Sequence, residues 1–419
     1  MKKKVRVGVI GVGRGESVMN YCKTADNAEL VAICDKWEEG LNASRAKFGE
    51  ENIGYYTDYD KFLEHDMDVV MLANYANQHA PFAIKAMNKG LNVISEVLPC
   101  QTMKEAVELI ETVERTGKIY CYAENYCYMP APREMKRLYR DGVVGEIEYA
   151  EGEYVHNCEP IWTDITYGDK NHWRNMMYST YYCTHSLGPI IHISGLRPVK
   201  VSGFELPFRE QNVRMGLRGS ILGIEMVTLE NGALVKSIHG DIQRNNISYE
   251  FYGKKGRMES AREAAAEGDV SKLYLEYSDN AGEYSDDKTH REVYNPRDEM
   301  SEKADSFGHG GSDYYTIWNA IEKIAGNPDA DTIDVYEALD MFLPGMFAYR
   351  SILNGGIPLD VPNLRDPAER DKWRNDTACT DPEVAGDMLL PFMKDESLNI
   401  PDESYDKIKA EWLKNHTEK

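Results

Sequence analysis

The sequence predicts an α/β protein: a doubly wound parallel sheet at the N-terminus, then a second α/β domain built on a mostly antiparallel sheet. Three observations predict it. Strand-like and helix-like segments alternate through residues 1–122, within a first domain read as residues 1–124. From Glu146 onward, period-2 alternation dominates instead. The first strand also runs straight into a glycine-rich turn.

The first strand is the β-branched run Val5-Arg6-Val7-Gly8-Val9-Ile10, and the turn is Gly11-Val12-Gly13-Arg14-Gly15. A polar helical stretch follows, then Leu30-Val31-Ala32-Ile33-Cys34, which stops at Asp35. This is the layout of a dinucleotide-binding unit. Glycines let the backbone approach a pyrophosphate, the next helix offers it unpaired N–H groups, and an acid on the second strand holds a ribose diol. Glu16 occupies the usual third glycine position and Gly15 stands one residue early, which predicts a wider turn. Asp35 favours NAD over NADP, because a carboxylate repels a 2′-phosphate; Lys36 beside it works the other way.

Further strands are predicted at 68–73, 92–95 and 118–122, with helices over Ala80–Lys89 and Met103–Thr116. Ligands of such sheets sit beyond the C-terminal strand ends. The cofactor-binding candidates from the turn and the strand ends are therefore Gly11, Gly13, Arg14, Gly15, Asp35, Asn74, Glu96 and Asn125; His79, which opens the following helix, is a candidate on other grounds, its place in a family motif.

Residues 125–362 read as the second domain. Pro130–Asp141 is predicted helical, ending at Gly142. Strands are expected at Ile147–Val155, Val199–Leu206, Ile221–Leu229, Leu234–His239 and Ser248–Tyr252. Residues 259–304 are polar enough to read as irregular and lid-like. Helical periodicity returns at Asp313–Ala325 and Val335–Asn354. Residues 363–419 form an acidic, proline-punctuated extension with a helix near Tyr405–Asn415.

Composition narrows the function. Across 419 residues, 48 basic and 70 acidic side chains leave a net charge of −22. That balance repels nucleic acid and anionic membranes and suits a protein acting on small molecules. No run of 18 apolar residues predicts a membrane span. Met1-Lys2-Lys3-Lys4 passes directly into the first strand without the apolar core of a signal peptide, so a cytoplasmic location is expected. The eight cysteines are scattered without a C-x-x-C pair and read as reduced, mostly buried thiols. His156-x-Cys158-Glu159 has no matching second pair, so no metal site is expected.

The order of motifs resembles the glucose–fructose oxidoreductase and inositol dehydrogenase (Gfo/Idh/MocA) family over roughly residues 5–360. The glycine turn, His79 in Asn77-Gln78-His79-Ala80-Pro81, the Gly90-Leu91-Asn92-Val93 strand entry, Asn125 with Pro130, and Thr332–Ala338 with Ser351 carry the resemblance. It implies an N-terminal Rossmann domain, NAD as cofactor, and a C-terminal open sheet that often serves as an oligomer interface, hence a homo-oligomer. Dehydrogenases of the family carry Glu-Lys-Pro after the strand at 92–95, and that lysine moves the proton of the oxidised hydroxyl. This chain has Glu96-Val97-Leu98-Pro99, and valine cannot exchange a proton.

Three further segments resemble glycoside hydrolase family 109, a branch of NAD-dependent glycosidases. They are Glu124-Asn125-Tyr126-Cys127-Tyr128, Trp173-Arg174 with Tyr182-Cys183-Thr184-His185-Ser186-Leu187-Gly188-Pro189, and Gly308-His309-Gly310-Gly311-Ser312-Asp313. The resemblance implies transient oxidation at C3 of a sugar, loss of the C2 proton and the C1 substituent, water addition and re-reduction. It does not use two carboxylates flanking the bond.

Such chemistry needs a proton acceptor at O3, a base near C2 and an acid at the leaving oxygen. The catalytic candidates are His185, whose residue type titrates near neutrality, and the phenols Tyr128 and Tyr182. The substrate-binding candidates are His309 in its glycine-rich segment, Trp173 as a flat apolar face, and Arg174 as a hydrogen-bonding fork. Each also has a plainer reading: a core histidine, one of 27 tyrosines, a helix cap or a structural Trp–Arg pair. His65, His239, His290 and His416 lack context and read as structural or surface residues. Two other functions stay open: a sugar or cyclitol dehydrogenase (or sugar 3-oxidase) with a substitute for the lysine, and a non-catalytic NAD-bound sensor.

Overall fold

A computed structural model describes residues 4–49, 51–260, 271–282, 285, 288–395 and 399–417. The chain divides into two compact units. The first comprises Met1–Tyr128, Asp298–Leu339 and Leu364–Asp376; the second comprises Met129–Arg297, Asp340–Asn363 and Thr377–Lys419.

The first unit holds a six-stranded parallel sheet. Its strands are β1 (Val5–Ile10), β2 (Ala28–Cys34), β3 (Gly54–Tyr56), β4 (Val69–Leu72), β5 (Asn92–Ser95) and β6 (Tyr120–Tyr122), in the order β3-β2-β1-β4-β5-β6. The strand order reverses beside β1, and that switch opens a crevice at the C-terminal strand ends. The helix Met103–Thr116 shows how local sequence fixes the elements. Thr102 accepts the Glu105 N–H at its start, and Gly117 ends it in the left-handed region. Met103, Ala106, Val107, Leu109 and Ile110 are buried along it.

The linear boundaries expected from the sequence are not those of the fold. Residues 298–339 and 364–376 return to the first unit. The helix Ser312–Ile324 places Ile317, Ala320 and Ile321 in one core with Val7, Val9, Met19 and Ile33. Arg370 and Arg374 clasp Glu114 and Glu111 with paired hydrogen bonds. Burial of that apolar stripe outweighs its distance along the chain.

The second unit is built on nine strands: β7 (Ile147–Val155), β8 (Pro198–Glu205), β9 (Leu222–Leu229), β10 (Leu234–Gly240), β11 (Asn246–Gly253), β12 (Gly256–Ser260), β13 (Leu273–Ser278), β14 (Thr289–Tyr294) and β15 (Leu359–Asp360). Their order is β14-β13-β12-β11-β7-β10-β9-β8-β15, antiparallel except where β10 runs parallel to β7. The irregular reading of 259–304 is therefore corrected in part. β13 and β14 lie in this stretch and extend the sheet, while 261–270 fall outside the described residues. Their polarity reflects a side-chain ladder: Tyr274 bonds Glu276 and Arg291 also bonds Glu276. No helix among the described residues is long and apolar enough to cross a membrane. All eight cysteines are buried and none is in a disulfide.

Candidate functional site

Two groups of side chains gather chemistry, one in each unit. In the first unit the glycine turn follows β1. Gly11 has φ +97°, and a Cβ there would lie 2.2 Å from the Ala73 carbonyl oxygen. Gly15 takes the close-packing duty of a third glycine: a Cβ would lie 2.3 Å from the Gly11 oxygen and 2.5 Å from the Val9 side chain. Tight packing thus replaces the wider turn expected from Glu16. A Cβ on Gly13, by contrast, would meet nothing within 4 Å, which leaves open space where a diphosphate approaches backbone.

The Asp35 carboxylate is fixed by the Val12 and Trp37 N–H groups, both at 2.9 Å. Each oxygen retains a lone pair for a ribose hydroxyl. Glu38 and Glu39 follow on the first turn of the next helix and add negative charge close in sequence to Asp35. At the end of β4, the Asn74 carboxamide is buried with neither its nitrogen nor its oxygen paired. A buried amide without partners is costly, and a polar ligand would satisfy it. The turn, the acid and this amide all fit a dinucleotide with a free ribose diol.

Other predicted cofactor residues hold one another. Arg14 makes two 2.9 Å bonds to Asp313, and its Nε lies 2.7 Å from Glu96. Asn125 donates to Asp313 at 2.9 Å, and His309 Nδ1 lies 3.2 Å from the same carboxylate. Burial alone would raise the Asp313 pKa, but bonds from His309 and Arg14 outweigh it and hold the carboxyl far below its ordinary range. Arg14 therefore organises carboxylates in this structure rather than offering its fork to a phosphate. His309 shares in that network, with its ring edge-on to Tyr126 at 5.9 Å. The glycines around it answer to backbone shape: His309, Gly310 and Gly311 have φ of 56°, 63° and 87°.

Two predicted residues have structural duties here. Both ring nitrogens of His79 face backbone carbonyls, of Leu98 at 2.9 Å and Asn74 at 3.1 Å, and burial pushes its pKa down to about 4. It ties strand ends together and presents no nitrogen to a cofactor. Tyr128 donates to the Asp331 carbonyl at 2.8 Å, and burial drives its phenol well above 10. A phenol so placed is a poor base, which corrects its candidacy as a catalytic group.

In the second unit the helix Thr184–Ser194 lies directly on β7. A Cβ at Gly152 would be 1.9 Å from the Ser186 oxygen, so only glycine permits the contact. Tyr154, two residues along the same face, is thereby brought edge-on to His185 with ring centroids 4.7 Å apart. Tyr182 meets His185 from another side at 5.0 Å. His239 on β10 completes a circuit, 5.9 Å from Tyr154 and 5.7 Å from Tyr182. The backbone under His185 is pinned by the Tyr249 hydroxyl, 2.6 Å from its carbonyl. Burial pushes His239 down to about 3, so this imidazole is neutral.

Arg174 lies over Trp173 and Tyr182, 4.6 and 5.0 Å from the ring centroids. One Trp173 face is thus covered by its neighbour's guanidinium. Behind Tyr154, its hydroxyl is 3.2 Å from His156 Nδ1, which is 3.4 Å from Cys158 Sγ. Asp241 stands near this chain, raised to about 6 by burial.

Sequence reasoning missed Tyr154 and set His239 aside. The alternation of Gly152 with Tyr154 and of Ser237 with His239 is visible in the sequence, but not that β7 and β10 are neighbours.

Residues 5–124 match the family model described as "Oxidoreductase family, NAD-binding Rossmann fold". Residues 244–374 match "Glycosyl hydrolase 109, C-terminal domain". The chain is 25% identical over 412 residues to a glycosyl hydrolase family 109 protein of Saccharopolyspora erythraea, covering 88% of this chain and 84% of the relative. It is 27% identical over 378 residues to glycosyl hydrolase family 109 protein 3 of Phocaeicola vulgatus, covering 80% and 68%. Among solved structures, an oxidoreductase domain protein from Kribbella flavida aligns with TM-score 0.69 at 18% identity, over 86% of this chain and 100% of that one. A levoglucosan dehydrogenase in complex with NADH and levoglucosan aligns with TM-score 0.67 at 17% identity, over the same shares. These structural likenesses establish the fold.

Proposed function

For a chain that belongs to the Gfo/Idh/MocA oxidoreductase family and carries a glycosyl hydrolase 109 C-terminal domain, we propose the activity of an NAD-dependent glycosidase. The observation that carries the reading is the closed circuit of Tyr154, His185, Tyr182 and His239, set against valine at 97 where family dehydrogenases use lysine.

Bound NAD⁺ supplies a temporary two-electron acceptor for C3 of the sugar, which makes the C2 proton acidic enough to remove. In this reading His185 takes the proton of the C3 hydroxyl and later returns it, the duty that Val97 cannot perform. One tyrosine of the circuit, Tyr182 or Tyr154, acts as its phenolate: it takes the proton from C2 to become the phenol, and gives that proton back to C2 when water adds. Arg174 holds a fixed positive charge over the Tyr182 ring. Neutral His239 confines the phenols without adding a charge. Glu96 and Asn125, tied through Arg14 and Asp313, keep the strand ends at β5 and β6 in place for the nicotinamide portion.

The test is a panel of nitrophenyl glycosides of both anomers in D₂O. The reading expects nitrophenol release with deuterium at C2 and no accumulation of NADH. His185→Ala should lower turnover by about 10²–10⁴-fold with NAD affinity unchanged. Release without exchange at C2 contradicts the elimination route. NADH accumulation without release assigns a dehydrogenase instead.

A further inference from the structure

Trp37 is the one exposed tryptophan among the described residues, with 57% of its surface accessible. An indole left in water needs a reason, and its position suggests one. It lies two residues beyond Asp35 at the C-terminal end of β2, the edge of the sheet where dinucleotides lie. Its N–H is held by the Asp35 carboxylate at 2.9 Å, so the acid and the tryptophan form one rigid turn.

The ring is also seated. Gly40 lies in the first turns of the helix Glu38–Phe48, and a Cβ there would be 2.2 Å from the Trp37 ring. A glycine within a helix costs about 1 kcal/mol relative to alanine. Here its bare face makes the bed for one side of the indole, and Gly40 is buried while Glu38 and Glu39 before it are exposed. The Lys36 ammonium is drawn aside over the Tyr75 ring, 5.0 Å from its centroid. What remains is a flat aromatic face beside a ribose-binding acid.

We infer that Trp37, seated on Gly40, is the stacking platform for the adenine ring of the dinucleotide. The inference rests on the nucleotide reading of the first unit and adds the residue that grips the base. Base–aromatic stacking needs only the π-face that every base has, and it is strong enough to be measured by truncation of one ring.

The experiment is calorimetric titration of the full chain with NAD⁺, ADP-ribose and nicotinamide mononucleotide. Trp37→Ala should weaken NAD⁺ and ADP-ribose about tenfold, while the mononucleotide, which lacks adenine, keeps its wild-type affinity. Gly40→Ala keeps the indole but unseats it; it should weaken the same two ligands at unchanged or higher thermal stability. Trp37→Phe should recover most of the affinity. ADP-ribose should perturb the tryptophan emission of the wild type and not that of Trp37→Phe. Wild-type affinity for NAD⁺ in both Trp37→Ala and Gly40→Ala overturns the platform. Failure of the wild-type chain to bind NAD⁺ or ADP-ribose overturns the nucleotide reading beneath it.

Discussion

Replacing Arg14 by methionine removes the cation shared by two buried carboxylates and keeps most of the side-chain volume. Asp313 has 3% of its side chain exposed, Glu96 12% and Arg14 36%. Breaking a fully buried pair from one side costs about 3–5 kcal/mol. Arg14 is a third exposed, so water replaces part of what is lost, and about 2–3 kcal/mol is expected. For a unit of about 150–250 residues this lowers the melting temperature by about 4–12 °C. Scanning calorimetry of the cofactor-free protein at pH 7 reads the shift. The pH dependence is a second check. Asp313 titrates far below its unperturbed value of 3.8, so its contribution is complete above 3.8, declines progressively as pH falls below 3.8, and is lost only as pH falls through the lower folded value. The gap between wild type and Arg14→Met should be constant above about pH 5 and narrow below about pH 4. A shift under about 1 °C, or a gap that widens in acid, refutes the reasoning.

Gly13→Ala should leave the melting temperature of the free protein unchanged, because its Cβ enters open space, and should weaken NAD⁺ about tenfold or more in a titration. Tyr128→Phe strands the Asp331 carbonyl and should cost about 1–3 kcal/mol in denaturant unfolding, with turnover per folded molecule unchanged. Glu225 on β9 is pushed up to about 8 by burial, partly offset by the Cys183 thiol and Ser237 hydroxyl. Its folded form keeps a proton that the unfolded chain releases from 4.5 upward, so wild-type stability falls between pH 4.5 and about 8. Glu225→Gln cannot titrate; its stability relative to wild type should climb across that window and level off above it, as read from urea midpoints. A flat difference from pH 5 to 9 would place the Glu225 carboxylate in a solvated setting.

The readable features of this chain were those whose signals are local. The strand, glycine turn and acid of the first 35 residues sit within one supersecondary unit, so spacing alone predicted their geometry. Even there, which glycine does what depended on contacts: Gly15 packs on Val9 and Gly11, and only Gly13 faces open space. The carboxylate network lay out of reach because Arg14 and Asp313 are 299 residues apart. β13 and β14 were misread for a physical reason. On an open sheet, tyrosine, arginine and glutamate ladders do the work that apolar alternation does in a covered one.

The same locality bears on the readings of tyrosine and histidine. Tyr128 sits in a family motif, which made it attractive, yet burial and the Asp331 carbonyl hold it as a neutral phenol. His239 had no motif around it, yet the parallel pairing of β10 with β7 sets its ring against Tyr154 at an interplanar angle of 5°. Proton-transfer groups are chosen by what surrounds them, and surroundings are a tertiary property. His185, with aromatic rings on two sides and its carbonyl anchored by Tyr249, is held in one placement within the second unit, and a fixed placement is what the proton-transfer role proposed for it needs.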